Sequence, residues 1–356
     1  MSDIAAPAAR TAARLPKPAP WSTRRTLQTC LGLVWLLDAA LQFQPYMFSR
    51  GFVTQIIAPA TAGNPTLIAA PIAWSARIMA QHIVPANTAF AVIQLAIAVG
   101  LFFRRTTKAA LAASIAWAVA VWWFGEGLGG VLNGASPLAG LPGAVILYAL
   151  IAVLLWPTGR AGPVGPTGDD RSSASLAPAL SGPLGQRVPK LAWLTLWTAF
   201  ACYLQLPANR APGAISQAFT NMTSAQPAWL QVPAHALATL TAGHGQTPAI
   251  ALAALCVLTG AGIFADRLTR PALILAALLG LLIWTAEGFG ALTTGRATDP
   301  NTGPLLILLA ACLWPPHRDA TPARGADHSP SRRAALSWHT ARSHAVPRSS
   351  RARAWS

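Results

Sequence analysis

Glutamate occurs only twice in this chain, and both copies close a long apolar run. Glu126 follows Trp122-Trp123-Phe124-Gly125 and precedes Gly127-Leu128-Gly129; Glu287 follows Ile283-Trp284-Thr285-Ala286 and precedes Gly288-Phe289-Gly290. Insertion scales put the cost of a charge that deep in an apolar segment at roughly 2.5–3.5 kcal/mol. A desolvated carboxyl can carry a proton, hold a ligand or ligate a metal. It can also accept backbone N–H bonds and cap the loop helix of its own unit. Both readings stay open. Asp38, in Trp35-Leu36-Leu37-Asp38-Ala39-Ala40-Leu41-Gln42, is a third acid inside an apolar run, either functional or neutral and hydrogen-bonded. The matching position in the second half is Ala201, whereas Gln42 is matched by Gln205. That glutamine pair reads as interhelical hydrogen bonding, worth about 0.6 kcal/mol in membranes. His82 and His244 occupy matching positions and are candidate metal or haem ligands between the halves, or hydrogen-bonding helix ends; His235 is a further candidate. Trp123, Gly127 and Gly129, with Trp284, Gly288 and Gly290, form the structural frame of the two acidic motifs. No Walker, GxSxG, HExxH or dinucleotide motif is present, and no catalytic residue can be named.

The elements that position these residues are membrane spans. The chain is 53% hydrophobic and only 10% charged, with mean hydropathy +0.44, against about 25% charged for soluble domains. Apolar runs near 27–46, 86–103, 109–130, 142–157, 191–208, 247–264, 271–291 and 303–316 approach the length of about 20 residues that crosses a bilayer. The net charge of +16 is asymmetric on that topology. Of 26 basic residues, all but Arg50, Arg77, Arg210 and Arg296 fall on one side, which makes that side cytoplasmic. The charge therefore orients the protein in a bilayer and does not mark nucleic-acid binding. Arg105 and Arg267 read as topology and headgroup anchors. Ser22-Thr23-Arg24-Arg25-Thr26-Leu27 is similar to a twin-arginine export signal but leads into further spans, so it reads as a retained first helix. Cys30, Cys202, Cys256 and Cys312 lack CxxC spacing and read as buried free thiols.

A shift of 162 positions aligns Gly51 with Gly213, Pro65 with Pro227, Pro71 with Pro233, His82 with His244, and Gly100 with Gly262. A one-residue slip then aligns Trp123 with Trp284, Glu126 with Glu287, and Gly129 with Gly290. The expected fold is all-α: a polytopic membrane protein of eight transmembrane helices in two parallel four-helix repeats related about the membrane normal. Its parts are a disordered N-terminus (1–26), repeat 1 (27–157), a cytoplasmic linker (158–189), repeat 2 (190–316) and a disordered basic tail (317–356). The long loops 47–85 and 209–246 are expected to hold short interfacial helices, with Trp74 and Trp229 at headgroup depth.

Ala98-Val99-Gly100-Leu101-Phe102-Phe103-Arg104-Arg105-Thr106-Thr107-Lys108-Ala109-Ala110 and the corresponding Thr259–Ala272 segment resemble the second and third helices of DoxX-like membrane proteins. The resemblance implies four helices per unit, a long loop after the first, and a redox- or quinone-associated role. In that family an acid is common near the start of helix 2; here the nearest residues are Gln94 and Cys256. A quinone cofactor and a membrane or extracytoplasmic redox partner follow from the resemblance alone, whereas a haem would rest on the histidine pair. Two alternatives stand beside it: a proton-coupled carrier of a small solute using Glu126, Glu287 and Asp38, and a non-catalytic assembly subunit. The expected setting is a bacterial plasma membrane, with both termini cytoplasmic and the glutamates near the outer face.

Overall fold

A computed structural model describes residues 23–157, 178–180, 182–221 and 226–315, with no strand among them. The expectations for residues 1–22, for most of the linker and for the 317–356 tail lie outside the described residues. Helix α1 (Arg24–Leu41) starts at Thr23, whose hydroxyl oxygen accepts the Thr26 N–H at 3.2 Å. Short irregular turns over 45–61, including a π-helical turn at Val53–Ile57, lead to α2 (Thr66–Gln81). Helices α3 (Ile83–Phe102), α4 (Thr107–Phe124) and α5 (Ala144–Leu154) complete the first half. The second half contains α6 (Arg187–Leu204), α7 (Ala214–Asn221), α8 (Ala228–Thr241), α9 (Thr247–Gly262), α10 (Thr269–Ala286) and α11 (Thr302–Cys312).

Helices α3, α4 and α10 are long and apolar enough to cross a membrane. Their outward faces remain apolar, with Val84, Val92 and Val99 exposed on α3 and Ile274, Leu278 and Leu281 exposed on α10. The protein is thus a helical chain of membrane character. The segments expected at 142–157 and 303–316 contract to α5 and α11, of 11 residues each. At 1.5 Å per residue that is about 16 Å, short of a bilayer. Both helices are buried around most of their circumference, as expected for a helix that is apolar on every face.

Helix α1 packs on α3, α4 on α5, α6 on α9, and α10 on α11; α5 and α1 both meet α11, which joins the halves. Trp35, Tyr148, Trp193, Trp197 and Phe200 are fully buried in the shared core. A second core under the first long loop gathers Met47, Phe52, Ile57, Ile72 and Met79. Helices α2 and α8 occupy the two long loops and leave Trp74 and Trp229 exposed.

The arginine pair at the start of α1 ties helices together. The Arg25 guanidinium donates to the Leu101 carbonyl (2.9 Å), the Phe102 carbonyl and the Thr107 hydroxyl (3.3 Å). It therefore satisfies C-terminal carbonyls of α3 that have no partner within the helix. Arg24 donates to the carbonyls of Trp156 and Pro178. Part of the expected linker is docked: Ala179 is buried, and its N–H donates to the Cys312 carbonyl at the end of α11 (3.0 Å).

Candidate functional site

The two acidic motifs fold into matching left-handed turns. Gly127, Leu128, Gly129 and Gly130 all have positive φ, as do Gly288, Phe289, Gly290 and Ala291. Left-handed backbone costs roughly 1–2 kcal/mol at a residue with a Cβ, so glycine is favoured. Packing tightens the requirement at Gly129, where a Cβ would lie 1.9 Å from the Pro142 carbonyl oxygen. The slip between the halves falls at Gly125. Helix α10 ends with the Glu287 N–H donating to Ile283, four residues back. In α4 the Glu126 N–H reaches Val121, five residues back (3.0 Å), so a wide turn absorbs the extra glycine. The register match of Trp284 is therefore Trp122, not Trp123 as the sequence alignment has it. Trp122 donates to the Pro142 carbonyl (2.7 Å), whereas Trp123 is exposed.

Neither glutamate caps a loop helix. Each lies at the N-terminus of the short last helix of its own half, α5 for Glu126 and α11 for Glu287, where unpaired N–H groups favour a carboxylate. Glu287 is buried and bonded through both oxygens: Oε1 accepts from the Thr302 N–H and Oε2 from the Gly303 N–H, each at 3.2 Å. Glu126 accepts a single longer bond, from the Val145 N–H to Oε1 at 3.4 Å. Its Oε2 has no hydrogen-bond partner.

Glu126 also faces a cavity of about 230 Å³ that Glu287 does not line. Asp38 and Asp299 line the same cavity, the first from α1 and the second from the loop before α11. Its walls include Trp35, Phe52, Phe90, Trp117 and Phe124, and the first loop contributes Ile56, Ile57 and Met79. Asp38 and Tyr148 are 2% and 1% exposed and face each other, with no other hydrogen-bond partner for Asp38 Oδ1 or the Tyr148 hydroxyl among the described residues. Gln42 Oε1, Gln94 Oε1 and Trp117 Nε1 are unpartnered among the described residues. Buried polar atoms normally have partners, so several without one around a single cavity point to a ligand or water site. Asp299 is held by bonds from the Thr298 hydroxyl (2.9 Å) and the Asn301 N–H (2.7 Å), and burial pushes its carboxyl above the usual range.

Sequence reasoning did not single out Asp299, Tyr148 or Trp117. Asp299 carried a signal, as one of few acids outside the termini and linker, in the turn string Thr298-Asp299-Pro300-Asn301. Tyr148 and Trp117 carried none, because an aromatic residue in an apolar run reads as core. Apolar residues stand at the corresponding places in the second half. Ala201, Cys256 and Leu306 match Asp38, Gln94 and Tyr148, and all three are buried.

The histidines lie elsewhere. His82 is exposed between α2 and α3; His244 is exposed with Nδ1 2.7 Å from the Ala242 carbonyl oxygen; His235 contacts Gln231 at 3.4 Å. Among the described residues no group of three or more His, Cys, Asp or Glu is placed to hold a metal ion. The cysteines are unpaired, with Cys256 and Cys312 buried, Cys30 partly buried and Cys202 exposed rather than buried. No protein-family model, curated protein or solved structure matches the chain.

Proposed function

We propose that the chain is a multi-pass plasma-membrane protein whose first half, completed by Asp299 of the second, forms the solute site of a proton-coupled carrier. The cavity that Asp38, Glu126 and Asp299 line together carries this reading. Three like charges in one apolar cavity repel each other, so protons or a cationic ligand must neutralise them. A group that gains or loses a proton as solute enters or leaves couples the two movements. The redox reading rests on the DoxX resemblance alone, whereas the cavity favours transport.

We further propose eight membrane segments, with α5 and α11 entering as short helices continued by non-helical backbone buried in the protein, two parallel units of common origin, and a cytoplasmic side carrying the basic loops. The matching left-handed turns and the repeated element order support common origin. The asymmetry of the cavity supports a division of labour, with most of the binding site in the first unit and Asp299 alone among the acids contributed by the second.

The test is transport by the full chain in proteoliposomes containing a pH-sensitive dye, challenged with neutral, anionic and cationic small solutes. At least one solute should change the internal pH, and Asp38→Asn combined with Glu126→Gln should abolish that change while the protein still inserts. Silence from the wild type across all three charge classes sinks the carrier reading.

A further inference from the structure

The cavity's polar groups differ in kind from those of a site for a neutral or anionic solute. Among the described residues, no Lys, Arg or His lines it. Of its side-chain atoms without a partner among the described residues, Glu126 Oε2, Gln42 Oε1 and Gln94 Oε1 are acceptors and Trp117 Nε1 is a donor, while the Tyr148 hydroxyl faces the Asp38 carboxyl. Carboxylates accept only, when ionised, so in that state donors on a ligand can meet them. Asp38 is 2% exposed and Gln94 7%, so bulk water does not satisfy these atoms. The remaining walls mix aliphatic residues with the aromatic Trp35, Phe52, Phe90, Trp117 and Phe124, whose rings can attract a cation that lies over their faces.

We infer that this site binds a small organic ammonium ion with an apolar, ring-sized body, its N–H donors directed at Asp38 and Glu126. The inference rests on the carrier reading for its purpose but not for its test. The second half supplies Asp299 to the cavity, so the binding site is complete only when both halves are assembled. The size also fits: a cavity of about 230 Å³ is below the span of roughly 300–1,000 Å³ typical for drug-sized ligands.

The experiment is calorimetric titration of the purified full chain with three probes of one shape. These are 2-phenylethylammonium, the neutral 2-phenylethanol and the anionic 3-phenylpropionate. The ammonium ion should bind at least tenfold more tightly than either of the others. Asp38→Asn and Glu126→Gln should each weaken it tenfold or more, while Asp266→Asn, a change at an exposed acid, should leave it unaltered. Thermal melting of each variant separates lost binding from lost fold. If Asp38→Asn melts early, Glu126→Gln decides, because glutamine keeps the single Val145 bond. Binding of the alcohol or the acid as tightly as the ammonium ion overturns the cation inference and leaves a small-solute site standing. Binding of none of the three overturns the cation inference, and pH change by some other solute in proteoliposomes would still uphold the carrier.

Discussion

Glu287 accepts two backbone N–H bonds and Glu126 one, so the same replacement should act differently at the two positions. Glutamine at 287 supplies one oxygen for two donors and turns an NH2 toward the other. An unpaired buried donor costs about 1–3 kcal/mol, so Glu287→Gln should lower the melting temperature measurably. Glutamine at 126 keeps its one acceptor and should leave melting nearly unchanged while removing any proton coupling. Equal melting losses in the two variants would show that both residues are structural. Asp299 gives a pH-dependent counterpart. Its folded carboxyl titrates above the ordinary range because burial disfavours the charged form. The folded state therefore holds the proton more tightly than the unfolded chain, and the benefit is complete below the unfolded value of about 4. It is lost as pH rises through the folded value. Melting of the wild type should thus fall relative to Asp299→Asn as pH is raised from about 4, in a series without added cation. Asp38, Glu126 and Tyr148 face the same cavity, so the comparison must use the single variant. A melting difference that stays flat with pH would remove Asp299 from the set of titrating groups.

The helices were largely legible because apolar runs and Gly/Pro punctuation announce them; the ends of α4, α5 and α11 were not. A hydropathy window cannot see that Gly143 takes positive φ so that α5 begins only after it, nor that α11 stops at Cys312, short of the expected 316. Nor can an alignment show that the extra Gly125 is taken up by a wide turn at the end of α4, which shifts the tryptophan match to Trp122. The glycine frame was visible as composition, but its reason is the approach of the 142 and 300 backbones. Gly129→Ala combines left-handed strain with a 1.9 Å clash against the Pro142 carbonyl oxygen. It should cost about 2–4 kcal/mol in thermal or denaturant unfolding. Ala291 already tolerates positive φ, so strain alone predicts the lower end of that range. Arg25 belongs to the same scale. Read from sequence as a charge that orients the chain, it also closes the C-terminus of α3 with bonds to Leu101 and Phe102. Charge-assisted bonds of this kind are worth about 1.5–3 kcal/mol, so Arg25→Met should destabilise the protein even where its orientation is unchanged.

For the molecule as a whole, the cavity was out of reach of sequence reasoning because its walls come from distant segments. Asp38, Gln94, Glu126, Tyr148 and Asp299 span most of the chain, and only the packing of α5 and α1 against α11 brings the last of them to the others. The membrane character, by contrast, was written in composition, and the orientation rests on the distribution of Lys and Arg. That orientation decides which side of the membrane the carboxylates answer to, because α4 runs from the Arg104–Lys108 turn to Glu126. If the turn is cytoplasmic, Glu126 and Glu287 lie toward the outer face and the cavity loads from outside. Single cysteines in a background lacking Cys30, Cys202, Cys256 and Cys312 test this in intact cells with an impermeant maleimide. Cysteine at 108 or 160 should label only after permeabilisation, whereas cysteine at 60 or 220 should label without it. Labelling at 108 from outside would invert the protein, turn the cavity toward the cytoplasm and make proton uptake from the outer face the wrong direction for coupling.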